Sequence, residues 1–228
     1  LVTLALGGHD RVVHLFSALA DLVLPRICGG WGEPGPPWCP RCAAWLRAAT
    51  GGRAQRVVLT GGRVAYAAGR YEGPLRAALL SYKERHRHDL TVPLARLLVT
   101  PLAAAVSDGM PWLIPVPSQR SAIRARGGDH VLRLCRALAR VDRRCRVVAA
   151  LRLRGRGRDS VGLDARQRAA NLAGRLTVRR SLPPLRGPVL LVDDVVTTGA
   201  TLRACQTALA ARGVTVDGAI VLCAASRG

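Results

Sequence analysis

Two adjacent carboxylates, Asp193 and Asp194, end the apolar run Val189–Val192 and lead directly into Val195, Val196, Thr197, Thr198, Gly199, Ala200 and Thr201. An apolar run of this kind reads as a buried strand, and Gly199 to Arg212 reads as the helix that follows. The turn between them offers backbone N–H groups and the hydroxyls of Thr197, Thr198 and Thr201 to an anion at a helix N-terminus, where the dipole favours negative charge. The carboxylates at the strand tip stand where a vicinal diol can be hydrogen-bonded. Together these groups suit a phosphorylated sugar, read from its phosphate and from its hydroxyls. Plainer alternatives are an acidic strand end of the Walker B kind and a simple capping turn. An Asp-Asp pair alone would favour those alternatives, but the whole run is more specific.

Such a turn needs a sheet behind it. Trp112–Val116 reads as an apolar strand, Val147–Leu151 as another, and Ala219–Ala224 as a closing one. Helical patterns fall at Leu75–Tyr82, Val92–Val106, His130–Ala139 and Leu163–Leu176. Val57–Leu59 and Val64–Ala68, split by Gly61-Gly62, read as a hairpin. Arg152–Gly162 reads as a long loop that could cover a site. Short apolar strands alternating with helices predict an α/β fold with a mostly parallel sheet covered on both faces. Ligands of such sheets sit at the carboxyl ends of the strands.

Ahead of this lies a different composition. Arg11–Leu24 has the spacing of an amphipathic helix, stopped by Pro25. Cys28–Cys42 is rich in Gly, Pro, Trp and Cys and reads as a compact loop module, with Gly51–Arg56 as a linker. The expected division is therefore 1–50 for the helix and cysteine module and 51–228 for the α/β domain. Cys39 and Cys42 have the spacing of a ligand pair, and Cys28 lies a loop-length upstream. These three are zinc candidates, although a closed structural zinc site takes four ligands. Cys135, Cys145, Cys205 and Cys223 fall in helices or strands and read as small buried hydrophobes; His86, His88 and His130 read as solvated.

The chain has 35 basic against 14 acidic residues and a formal charge of +21. That field attracts polyanions, nucleic acid among them. The arginines are spread along the chain with few aromatics between them, which favours a solvated surface over a dedicated nucleic-acid site. The apolar stretch Val92–Val106, broken by Arg96 and Pro101, is too short to span a bilayer, so no membrane insertion is expected. Asp10, Arg11, His14 and Asp21 interrupt any secretory h-region. With an odd seven cysteines, a reducing cytoplasm is the expected setting.

The acidic pair followed by Thr-Thr-Gly resembles the fingerprint of type I phosphoribosyltransferases. More narrowly, the chain resembles the ComF family, associated with DNA uptake in bacterial competence. The resemblance runs through the cysteine module, Tyr71–Arg76 with Lys83, Pro115-Val116-Pro117, Arg126–Asp129, Arg168 with Asn171-Leu172, and the phosphate loop. It departs where Arg126-Gly127-Gly128-Asp129-His130 stands for the usual Arg-Gly-Phe-Asn-Gln, and where Trp31 stands for a cysteine of the first pair. The resemblance implies a type I phosphoribosyltransferase fold and phosphoribosyl pyrophosphate, with Mg²⁺, as ligand. It also implies transfer at the anomeric carbon through an oxocarbenium-like transition state. Asp193 and Asp194 would be the catalytic pair and Val195–Thr201 the phosphate loop. Val116, Pro117 and Ser118 would belong to a pyrophosphate loop, with Arg120, Arg124 and Arg126 as charge partners. The acceptor stays open, and so does a non-catalytic, ligand-binding accessory role beside competence and DNA-uptake proteins.

Overall fold

The computed structural model describes residues 27–118, 123, 127–154 and 174–225. Its strands are β1 (Gln55–Val58), β2 (Val64–Arg70), β3 (Trp112–Pro115), β4 (Arg146–Val147), β5 (Leu151–Leu153), β6 (Leu176–Val178), β7 (Val189–Val196) and β8 (Gly218–Ala224). Six of them form one sheet in the order β1-β2-β8-β7-β3-β4. Only the β1–β2 hairpin pairs antiparallel; β2–β8, β8–β7, β7–β3 and β3–β4 are all parallel. β5 and β6 pair antiparallel as a separate ribbon. The α/β class and the mostly parallel sheet therefore hold.

Helices α1 (Pro40–Thr50), α2 (Gly73–Glu84), α3 (Thr91–Leu97), α4 (Val99–Ala105), α5 (His130–Val141) and α6 (Ala200–Ala210) cover it. Successive strand residues point to opposite faces. Leu190 and Val192 of β7 accordingly join one core with Leu79, Leu94, Leu134 and Leu138. Leu191 joins another, with Leu202, Cys205 and Leu209 of α6 and Leu151, Leu153 and Leu176 of the ribbon. A strand buried on both faces has no polar stripe, which is why β7 reads as one apolar run.

Several expectations change. The stretch Val92–Val106 is two helices broken at Leu98, not one. Pro101 has no N–H to continue a ladder and is tolerated only in the first turn of a new helix, where it sits in α4. The strand expected at Val147–Leu151 divides: Arg146–Val147 pairs with β3 at the sheet edge, whereas Leu151 begins β5. Leu176, expected in a helix, lies in β6; 163–173 and most of the loop Arg152–Gly162 lie outside the described residues, as does the helix expected at Arg11–Leu24. The cysteine module is not all loop. Pro40 opens α1 with Cys39 as its N-cap, the Sγ accepting from Cys42 N. Gln55, expected in a linker, already belongs to β1.

Leu46 of α1 is buried in the same core as Leu75 and Leu79 of α2, so packing is continuous across residue 50. Among the described residues, no helix is long and apolar enough to cross a membrane.

Candidate functional site

The acidic pair lies inside β7, because the ladder continues past it. Val195 pairs with Cys223 and Val196 with Ala224, so the eight-residue strand ends at Val196 rather than Val192. The pair still sits near the carboxyl end, and strand alternation sends its members to opposite faces.

Asp194 is buried, 6% exposed. Lys83 Nζ of α2 lies 2.8 Å from its Oδ2, and Nε2 of His130, the first residue of α5, bonds the same oxygen. Burial alone would raise its pKa, but the His130 hydrogen bond and the Lys83 charge overcome that and hold the carboxyl below the usual range. Asp193 is half-buried and, among the described residues, accepts from Asp194 N, at 2.8 Å. Desolvation, then the charge of Asp194, pushes its carboxyl well above the ordinary range. One carboxylate is thus ionised and anchored, while the other, partly exposed, holds its proton more tightly.

The turn after β7 is shaped by the β1–β2 hairpin. Gly199 has φ +74°, a left-handed conformation suited to glycine. A Cβ there would lie 2.9–3.1 Å from side-chain atoms of Leu59. Thr60 Oγ1 donates to Thr198 O at 3.4 Å, and Arg63 Nη1 bonds Gln206 Oε1 of α6. The N-cap Gly199 has no side chain to cap α6; among the described residues Thr198 Oγ1 accepts from Ala200 N, at 3.4 Å. Exposed Thr197 and half-buried Thr198 and Thr201 surround that helix start. Open N–H groups at a helix N-terminus beside small hydroxyls can take an anion.

β3 brings its tip alongside. Pro115 pairs with Val192, and Val116 N donates to Val192 O at 2.9 Å. Val116 is buried, while Pro117 and Ser118 are half-buried at the rim. Arg120, Arg124 and Arg126 lie outside the described residues, as do Arg168, Asn171 and Leu172. Sequence reasoning missed His130. It is not solvated but 5% exposed, and its signal is Asp129. That residue caps α5 by accepting from Val131 N at 3.0 Å and Leu132 N at 3.2 Å, which puts the next side chain at the buried helix start.

At the other end of β7 lies a cavity of about 490 Å³ lined by Arg179, Arg180, Arg212, Val189 and Asp217 among others. It faces the carbonyl end of α6, where the dipole disfavours anions, and Arg212 Nη2 already donates to Arg180 O at 3.2 Å.

In the N-terminal module Cys28, Cys39 and Cys42 converge, with ligand atoms all within 4.8 Å of one another. The approach requires glycine at 30, because a Cβ there would lie 2.5 Å from Cys42 Sγ. Burial opposes ionisation of Cys28, but backbone N–H donors bring its thiol down to about 7. Burial pushes Cys42 up. The cluster can hold a metal ion with three thiolates, one short of a closed zinc site; no fourth His, Cys, Asp or Glu joins it among the described residues. Metal analysis of dialysed protein is expected to find less than one zinc per chain, and stoichiometric zinc would require a fourth ligand. Cys135, Cys145, Cys205 and Cys223 are all buried.

No known family model matches this chain, and no curated protein matches it as a relative.

Proposed function

We propose that the chain binds phosphoribosyl pyrophosphate with Mg²⁺ where β3 and β7 end, and transfers the phosphoribosyl group to an acceptor, as in a type I phosphoribosyltransferase fold. The reading is carried by one observation: a helix N-terminus whose cap residue is glycine, ringed by Thr197, Thr198 and Thr201, directly follows a strand carrying the half-buried Asp193. The 5-phosphate would take the α6 N–H groups and the hydroxyls, and Asp193 would take the ribose hydroxyls. The rim residues Pro117 and Ser118 would border the pyrophosphate. When bound, Mg²⁺ would supply neutralising charge to the departing pyrophosphate, held by its oxygens and few protein groups; Asp193, the partly exposed carboxyl of the pair, is the residue here that would hold it. Asp194, tied to Lys83 and His130, would act by fixing the electrostatics rather than by touching the sugar.

Calorimetry with Mg²⁺-phosphoribosyl pyrophosphate tests this. Wild type should bind, and Asp193→Asn should lose about tenfold in affinity, about the value of one hydrogen bond left unmade. The same variant should be more stable than wild type at neutral pH. A carboxyl whose folded pKa is raised is penalised once pH exceeds its unfolded value, and the penalty grows until pH reaches the folded value. Asparagine carries no such penalty, so the gain should vanish in acid. Thr207→Ala, exposed on α6, is the control. Absence of wild-type binding, or equal binding by Asp193→Asn, overturns the reading. The tethering of Asp194 also suits a non-catalytic, ligand-binding accessory in DNA uptake. Pyrophosphate release with a panel of bases and amines separates the two roles.

A further inference from the structure

We propose that His130 is a positioning residue of this site, tying Ser118 at the tip of β3 to Asp194 on β7 so that the two strand ends move as one unit. The inference rests on the ligand reading above and adds the group that sets its geometry.

The imidazole links the segment after β3 to β7 just beyond their last backbone bond among the described residues, Val116 N to Val192 O at 2.9 Å. Its Nε2 bonds Asp194 Oδ2, and its Nδ1 lies 3.4 Å from Ser118 Oγ. Ser118 is gripped a second time from the same helix start: its N and Oγ each lie 3.4 Å from the Asp129 carboxylate. The ring itself is held. Tyr82 OH donates to His130 O at 3.2 Å, and the two rings meet edge-on at a centroid distance of 6.3 Å. Thr91 Oγ1 stands 3.4 Å from the Tyr82 hydroxyl. A buried imidazole must satisfy both nitrogens, and among the described residues one meets Asp194 of β7 and the other Ser118, in the segment after β3. Ser118 has a single hydroxyl proton, which serves Asp129 Oδ1 or His130 Nδ1 but not both at once; with Nε2 donating to the Asp194 carboxylate, Nδ1 is the ring's acceptor when that proton turns toward it. Lys83 approaches the same carboxylate oxygen from α2, so Asp194 is fixed from two helices. Its anchoring then depends on where Ser118 sits, and Ser118 lies on the rim that the pyrophosphate would border. A shift of the β3 tip is felt at the acidic pair through one side chain.

The test uses the whole chain and two readouts. In calorimetry with Mg²⁺-phosphoribosyl pyrophosphate, His130→Leu should weaken binding about tenfold or more, a lost charged hydrogen bond of roughly 1.4 kcal/mol. His130→Gln should retain most of the affinity, because its amide N–H can donate to Asp194 while its amide oxygen accepts from Ser118. A merely space-filling role predicts the opposite order, since leucine is the apolar shape and glutamine a new polar group. The second readout needs no ligand. In the ¹⁵N–¹H spectrum of wild type, the protected His130 Nε2–H should give a resonance that Ser118→Ala shifts and Asp194→Asn shifts further. Leucine binding as tightly as histidine, or imidazole signals unmoved by Ser118→Ala, overturns the proposal. Should wild type bind no ligand, the functional reading falls by itself, and the imidazole spectrum still decides whether His130 couples the two strands.

Discussion

An Asp194→Ala variant is expected to be the most destabilised of the single substitutions at this site, losing about 3 kcal/mol. The alanine leaves Lys83, with 23% of its side chain exposed, without its counter-charge, and His130, with 6%, without the partner of its Nε2. Breaking a buried pair from one side costs about 3–5 kcal/mol, and the partial exposure of Lys83 places this case at the lower end. Against a total stability of roughly 5–15 kcal/mol, the urea midpoint should fall visibly. The double variant Asp194→Ala/Lys83→Met should recover part of the loss by removing the orphaned ammonium. A loss below about 1 kcal/mol, inside the range of exposed ion pairs, would show that the carboxylate is not the anchor described above. The pH dependence follows from the sign of the shift. Because the folded value of Asp194 is depressed, its contribution is complete above the ordinary carboxylate range and is lost as pH falls through the folded value. The wild type should therefore lose in strong acid a stabilisation that the alanine variant never had.

Gly199→Val should be nearly as costly, and for two separable reasons. A side chain at φ +74° costs about 1–2 kcal/mol, more for a β-branched one. The new Cβ also lies 2.9 Å from a Leu59 methyl, and overpacking of that kind costs about 1–3 kcal/mol. The clash is thus with the hairpin, so the distorted turn should lose anion binding even though the valine does not point into the ligand's space. Gly199→Ala/Leu59→Ala separates the two. It removes the two methyl contacts but leaves the Leu59 Cβ at 3.0 Å and the backbone strain, so it should fall between wild type and Gly199→Val in denaturant midpoint. If the double variant is no better than Gly199→Val, the Leu59 methyl contacts contribute nothing.

Much of this was legible in the sequence wherever local pattern and tertiary role agree. β7 is apolar because it is covered on both faces, and the Gly61-Gly62 hairpin has its turn residues in place. What escaped was settled by partners far away in the chain. The two valines after Asp194 look like turn residues until Cys223 and Ala224 pair with them. Leu176 looks helical until β5 gives it an antiparallel neighbour. Leu98 breaks a helix whose apolar spacing runs straight through it, because Pro101 restarts the count. His130 looked solvated because a histidine beside an aspartate, on a basic amphipathic helix, usually faces water. Only the arrival of Asp194 from 64 positions away makes its burial affordable.

The order of strands carries a consequence for how this chain reaches its fold. β8, residues 218–224, lies between β2 and β7 and bonds both of them. Until it inserts, the hairpin has no ladder to the rest of the sheet, and β2 and β7 each present an unpaired edge. Ala65 must find Ala219, and Trp112 must find Val189. Pairings this distant pay their loop-closure entropy before they return any stability, which slows folding. Meanwhile open edges of apolar strands invite pairing with other chains. Expression at high temperature should therefore deplete soluble protein through intermolecular strand pairing before the last strand docks, even when the finished fold is stable.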